Sequence, residues 1–269
     1  MANSTSGESV MERFLRVLEV FDARQSSLTV SAIARRAELP LTSASRLVSN
    51  MVKHGVLEKL DGGQIRVGMR IWELSYRSSP TLRLREAALP FMNDILALVG
   101  HHVNLSVLDN GQVLYIERLS AHKATRSIAL VANRLPLHTC SSGYVFLAHM
   151  ATDEREESIA QALTKPTAQT ITDPDELRQR LNEVKRLGYA HTAGIVVPGS
   201  TGIAVPIFDA QKKVAAALNV ILPSGEERIE LTFRALQMAG RAISRFIGQR
   251  SSSLTEWVEL RQANEGGAG

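Results

Sequence analysis

LTVSAIARRAELPLTSASRLVSNMVKHGVLEK, residues 28–59, decides the first part of the fold. Thr29 is placed to cap a short helix over 30–37 with its side chain. Pro40 closes that helix, because proline disfavours helix at the preceding Leu39 yet suits the first turn of a new one. A second helix then runs from about Pro40 to His54. Ala44, Leu47, Val48 and Met51 form its buried side, and Gly55 sits where a left-handed cap is expected.

Working outward, Ser9 and Glu12 have capping-box spacing, and Met11, Phe14, Leu15, Leu18 and Phe21 follow at helical period. On the other side, 56–60 and 64–67 read as two short strands around Asp61-Gly62-Gly63. Helix, helix, turn, helix and hairpin is the order of a winged helix-turn-helix, mostly α with a β-hairpin wing. A short helix over 69–77 leads to Ser78-Ser79-Pro80, a domain boundary.

Beyond the boundary, 82–99 is an amphipathic helical stretch interrupted by Pro90, where a kink or two abutting helices are expected. Residues 103–108 and 113–119 flank Asn110-Gly111 as a hairpin, and 128–131 is a further strand candidate. Ser141-Ser142-Gly143 opens a helix to about 150, and 153–163 is helical in pattern. Asp173, Pro174 and Gly188 bracket a long helix. A second hairpin pairs 202–208 with 214–222, and Ile229, Phe233, Leu236, Ile243 and Phe246 stripe a last long helix. From Ser251 the chain is expected to be a loose tail. Strands and helices mix without strict alternation, which favours an α+β domain over a doubly wound sheet.

The 269 residues carry 44% hydrophobic and 22% charged side chains, a globular balance. The single cysteine, Cys140, excludes an intramolecular disulfide and a cysteine-based metal site. No apolar run reaches the roughly 18 residues a membrane helix needs, and no basic-then-apolar secretory pattern opens the chain. A cytoplasmic protein with no membrane partner is expected. The seven histidines form no H-E-x-x-H set, and there is no phosphate-binding or dinucleotide fingerprint, so neither metal nor cofactor is expected. Net charge is +4, yet residues 24–70 alone hold eight Lys and Arg against three acids. The positive charge therefore belongs to the N-terminal third, which points to double-stranded DNA.

In that geometry the N-terminal half of the second helix of the motif faces base edges. Thr42, Ser43, Ser45 and Arg46 are the positions there opposite the buried side. Arg46 suits a guanine or a phosphate, and Arg35, Arg36, Lys53 and Arg66 suit phosphates. The plain alternative for each is a solvated charged face.

Segments 9–70 and 84–223 resemble the IclR family of bacterial transcriptional regulators. The resemblance rests on residues 28–59 together with LREAALPFMNDILALVG (84–100), LPLHTCSSG (135–143), RLGYAH (186–191) and PGSTGIAVPIFD (198–209). It implies a winged helix-turn-helix over 1–79, a linker helix region over 80–100, a GAF-like α+β effector-binding domain over 101–250 and the tail over 251–269. It also implies homodimers or tetramers on operator DNA, with a small organic acid as effector.

Residue by residue, the resemblance places the effector at the Ser141-Ser142 positions. A helix N-terminus there offers free N–H groups to a carboxylate. Where the family commonly has acids, this chain has Thr192 and Ile195; a frequent cysteine is Gly202, two serines are Asn219 and Ile221, and a lysine is Tyr144. These departures lose charge or polarity, so an effector larger and less polar than glyoxylate or pyruvate is expected, an aromatic or long-chain carboxylate. Asn219 and Thr192 would give it polar contacts, with Tyr144 on the rim. A degenerate, unliganded pocket is the alternative.

Two other classes compete. A hydrolase could use Cys140, Ser141 or Ser142 with His138 or His191 as base, but the G-x-S-x-G spacing is missing and nothing supplies a third member. A ligand-independent architectural DNA binder would need no pocket. The expectation is a regulator rather than an enzyme.

Overall fold

The computed structural model describes residues 8–22, 25–121, 124, 129–161 and 163–265. The chain divides into two compact units, 1–80 and 81–269.

The first unit begins with α1 (Val10–Glu19), whose Ser9 cap and Glu12 complete the capping box. Then come β1 (Ser27–Thr29), α2 (Val30–Arg36), α3 (Leu41–Lys53), β2 (Leu57–Lys59), β3 (Gln64–Val67) and α4 (Met69–Ser78). Thr29 caps α2 through the Ala32 N–H, as its sequence position requires. Pro40 is the residue before α3 rather than its first turn. Val17, Ile33, Ala44, Val48, Met51, Leu57 and Ile65 close one core. The wing has a strand the local pattern does not announce: β1 pairs with β3, giving the order β1-β3-β2. Three residues are too few to show a period.

The second unit contains α5 (Pro80–Val99), β4 (His102–Asp109), β5 (Gln112–Ser120), β6 (Arg134–Pro136), α6 (Ser141–His149), α7 (Thr152–Ala160), α8 (Pro174–Leu187), β7 (Ala190–Ala193), β8 (Ser200–Phe208), β9 (Val214–Pro223) and α9 (Ile229–Glu265). Its sheet is antiparallel in every pair, in the order β6-β5-β4-β9-β8-β7. This is the α+β, GAF-like arrangement. On one face, Val103, Leu105, Ile203, Val205, Leu218 and Val220 meet Ala88, Met92 and Ile95 of α5 and Leu236 and Ile243 of α9. On the other, Tyr115, Ala204 and Ala217 meet α6 and α8.

Three expectations are corrected. The helix α5 passes through Pro90 unbroken. Both Glu86 and Pro90 are exposed, so the bond that proline removes lies on the solvent side, where water is available as a partner. Ala88, Met92 and Ile95 of α5 pack into the second core. Residues 129–131 are not a strand; the chain turns there, with Asn133 N–H bonding the Leu130 carbonyl, and pairs as β6 instead. Ile128 lies outside the described residues. The segment from Ser251, expected as loose tail, continues α9 to Glu265, since no glycine or proline interrupts 249–265.

Candidate functional site

Entry into α6 organises the site. A side chain at Gly143 would bring its Cβ to 1.9 Å from the Leu137 carbonyl oxygen, so only glycine lets α6 cross the preceding turn this closely. Every residue from Ser141 to Ala148 is buried. The residue capping α6, Cys140, has no oxygen to offer; instead its sulfur, a weak acceptor, faces the N–H groups of Gly143 and Ser142. Burial pushes the Cys140 thiol up to about 11, so it stays protonated at neutral pH.

Beside this helix start lies a cavity of about 430 Å³ counting its open mouth. Ser141, Thr192, Asn219 and Tyr115 give it polar groups, and Ala129, Leu135, Ile195 and Ile221 are among its apolar walls. Strand pairing explains the meeting. Thr192 stands opposite Gly202, Gly202 opposite Ile221, and residues opposite each other share a sheet face. A side chain at Gly202 would put its Cβ 2.7 Å from Ser141 Oγ and 3.1 Å from Thr192 Oγ1, so the space is already filled by those hydroxyls.

Of the seven residues expected at an effector site, the structure brings Ser141, Thr192, Gly202, Asn219 and Ile221 to this cavity. Ser142 and Tyr144 do not line it. Successive helix residues lie about 100° apart, which turns Ser142 away from Ser141's face and toward the buried Tyr115 hydroxyl. Tyr144, expected on the rim, is 1% exposed in the core. Burial raises its phenol to about 12, and Arg180 and Glu176 of α8 are among the charges acting on it. The reading of the residues missed Tyr115, whose only signal was its place in a hairpin strand. Burial pushes its phenol well above the ordinary value.

No nucleophile–base pair forms among the described residues. The His138 ring bonds the Thr164 carbonyl at 2.7 Å, and His191 is influenced by Arg180 and Glu227. No group of three or more metal-ligating side chains occurs among the described residues either.

In the first unit Thr42, Ser45 and Arg46 are exposed along α3, and Arg35 and Lys53 are exposed with no ion pair on either among the described residues. Ser43, expected at the surface, is half-buried in a cleft with Val10, Arg46, Leu47 and Asn50. Arg36 bonds Gln25 and the Val20 carbonyl, which ties it to the preceding turn. Arg66 pairs with Glu58 across the wing at 2.8 Å. An exposed pair of this kind contributes little to stability.

A winged helix-turn-helix joined to an α+β domain with a polar-based cavity is the architecture of a ligand-sensing DNA-binding protein. Residues 78–245 match the bacterial transcriptional regulator IclR C-terminal family and residues 10–61 the IclR helix-turn-helix domain. The chain belongs to the IclR family of bacterial transcriptional regulators. It is 30% identical over 229 residues to the Pca regulon regulatory protein of Pseudomonas putida, spanning 84% of this chain and 78% of that one. To the HTH-type transcriptional regulator XynR of Escherichia coli it is 26% identical, over 88% and 96% of the two chains. A crystal structure of an IclR homolog from Microbacterium hydrocarbonoxydans complexed with 4-hydroxybenzoate is similar at a TM-score of 0.83, with 42% identity over 88% of this chain and 98% of that one. No helix among the described residues is long and apolar enough to cross a membrane.

Proposed function

We propose that this regulator senses a small aromatic carboxylate in the cavity beside α6 and binds operator DNA through α3, working in the cytoplasm as a homodimer or tetramer and without catalysis. The carrying observation is the cavity's chemistry: Ser141, Thr192 and Asn219 line it together with the apolar Leu135, Ile195 and Ile221. Such a lining suits an apolar body with a polar end. The carboxylate would sit at the start of α6, where its charge meets the Ser142 and Gly143 N–H groups that face the Cys140 sulfur. The 42% identical homolog complexed with 4-hydroxybenzoate supports the aromatic class.

On DNA, Thr42, Ser45 and Arg46 contact base edges while Arg35, Lys53 and Arg66 take phosphates. The effector biases the spacing of two paired DNA-binding domains, because half-sites must match a helical turn or a multiple of it.

The test is a melting panel with glyoxylate, pyruvate, benzoates and phenylacetates. A ligand at a hundred times its Kd adds about 2.7 kcal/mol, readily seen as a shift. Stabilisation by short keto acids alone would overturn the aromatic reading.

A further inference from the structure

We infer that the cavity floor continues past Asn219 to a second polar anchor, Asn104 and Arg118, which reads an oxygen at the far end of the effector: a ring hydroxyl or a second carboxylate. This rests on the reading that the cavity holds an aromatic acid, and it specifies what that acid carries opposite its first carboxylate.

The register builds the anchor. Asn219 stands opposite Asn104, and Asn104 opposite Arg118. The three therefore share one face across β9, β4 and β5. Two strand spacings separate the outer two, about 10 Å, which a ring with a polar group at each end bridges through its hydrogen bonds.

Asn104 is 0% exposed, yet neither its Nδ2 nor its Oδ1 has a hydrogen-bond partner; Asn219 Oδ1 is in the same state. Asn219 lines the cavity and Asn104 stands beside it on the next strand, behind the lining. Buried polar atoms are almost always partnered, so two adjacent orphans at the cavity's edge mark a place where something else supplies the bonds. An amide both donates and accepts, which suits a hydroxyl as well as a carboxylate.

Arg118 completes the anchor. Its guanidinium has five N–H donors. Nε bonds Ser120 Oγ at 2.9 Å, Nη1 the Ala129 carbonyl at 3.2 Å, and Nη2 the His102 ring at 3.1 Å. Nη2 also lies 3.4 Å from His102 Nε2. Among the described residues these contacts leave at least one Nη1 N–H over. Among the described residues no acid pairs with this side chain: the neighbouring Glu117 is committed to Arg85 and to the Arg118 backbone N–H. Burial lowers the Arg118 pKa. The Ala129 that accepts from Nη1 is itself a wall of the cavity, so guanidinium and cavity meet there. A half-buried cation with a spare planar donor is suited to an oxygen acceptor.

The test is calorimetric titration of the full chain with benzoate, 4-hydroxybenzoate and benzene-1,4-dicarboxylate, for wild type, Arg118→Met, Arg118→Lys and Asn104→Leu. Wild type should prefer an acid with a para oxygen over benzoate by about tenfold or more. Arg118→Met and Asn104→Leu should bring that acid down to the level of benzoate while benzoate itself is held within about twofold. Preference for the dicarboxylate with partial retention in Arg118→Lys identifies a second carboxylate; preference for 4-hydroxybenzoate identifies a hydroxyl. Asn104→Leu covers the case in which Arg118→Met fails to fold. Equal binding of all three acids by wild type, or equal losses for benzoate and the para-substituted acids in the variants, overturns the anchor and leaves the aromatic reading standing. Wild type that binds none of them overturns both.

Discussion

Asn104 and Asn219 face each other across the central β4–β9 pair, both buried, and Oδ1 of each lacks a hydrogen-bond partner. A purely structural sheet would place valine or leucine there. If the cavity binds the proposed acid, the arrangement trades stability of the unliganded protein for recognition.

Replacing Asn219 with Leu should therefore stabilise the unliganded protein and abolish its response to aromatic acids. An unmet buried polar group costs about 1–3 kcal/mol, and the variant removes one. Thermal melts with and without ligand check both halves. A lower melting temperature without ligand would mean that Asn219 is a satisfied structural residue.

Gly202→Ala should weaken acid binding and leave operator affinity unchanged. The added methyl lands 2.7 Å from Ser141 Oγ, so the hydroxyl at the head of α6 has to move. Overpacking of this kind costs about 1–3 kcal/mol. Titration calorimetry for the acid and fluorescence anisotropy for DNA separate the two effects.

Arg46→Ala and Lys53→Ala should differ in kind. Loss of a base-reading arginine costs about 1–3 kcal/mol and relaxes specificity at one position. Loss of a phosphate-contacting lysine weakens all sequences alike and lowers the salt slope by about one. Anisotropy against an operator and its point variants, over a salt series, reads both.

Stability should fall as pH drops from about 7.5 to 5.5, across the ordinary histidine pKa of about 6.5. Burial holds His149 below that value, with Lys185 adding to it and the Val145 carbonyl opposing. Burial and then the Arg180 charge hold His191 low, with Glu227 opposing. Below the ordinary value the unfolded chain takes up protons that the folded one resists, so folding loses free energy as pH falls. The lowered pKa values of Glu156 and Glu227 act only at lower pH, in the carboxylate range. Urea midpoints at the two pH values check this, and His149→Gln should flatten the difference.

What the sequence by itself determined is what neighbours in the chain can specify. Ser9 with Glu12, Thr29 with Ala32, and Asp173 with Pro174 and Gly188 define helices α1, α2 and α8, since capping bonds reach only three or four residues. The order of these signals was enough to indicate a winged helix-turn-helix, and distributed motifs pointed to the family. Tertiary structure decided which polar groups meet. Asn104 and Asn219 are 115 positions apart in numbering, and only the β4–β9 register puts them side by side. Ser141 and Ser142 are adjacent in the chain, yet the pitch of α6 sends one to the cavity and the other into the core. Pairing register and helix rotation depend on which faces are buried together, and that is a property of the packed whole, not of any local stretch.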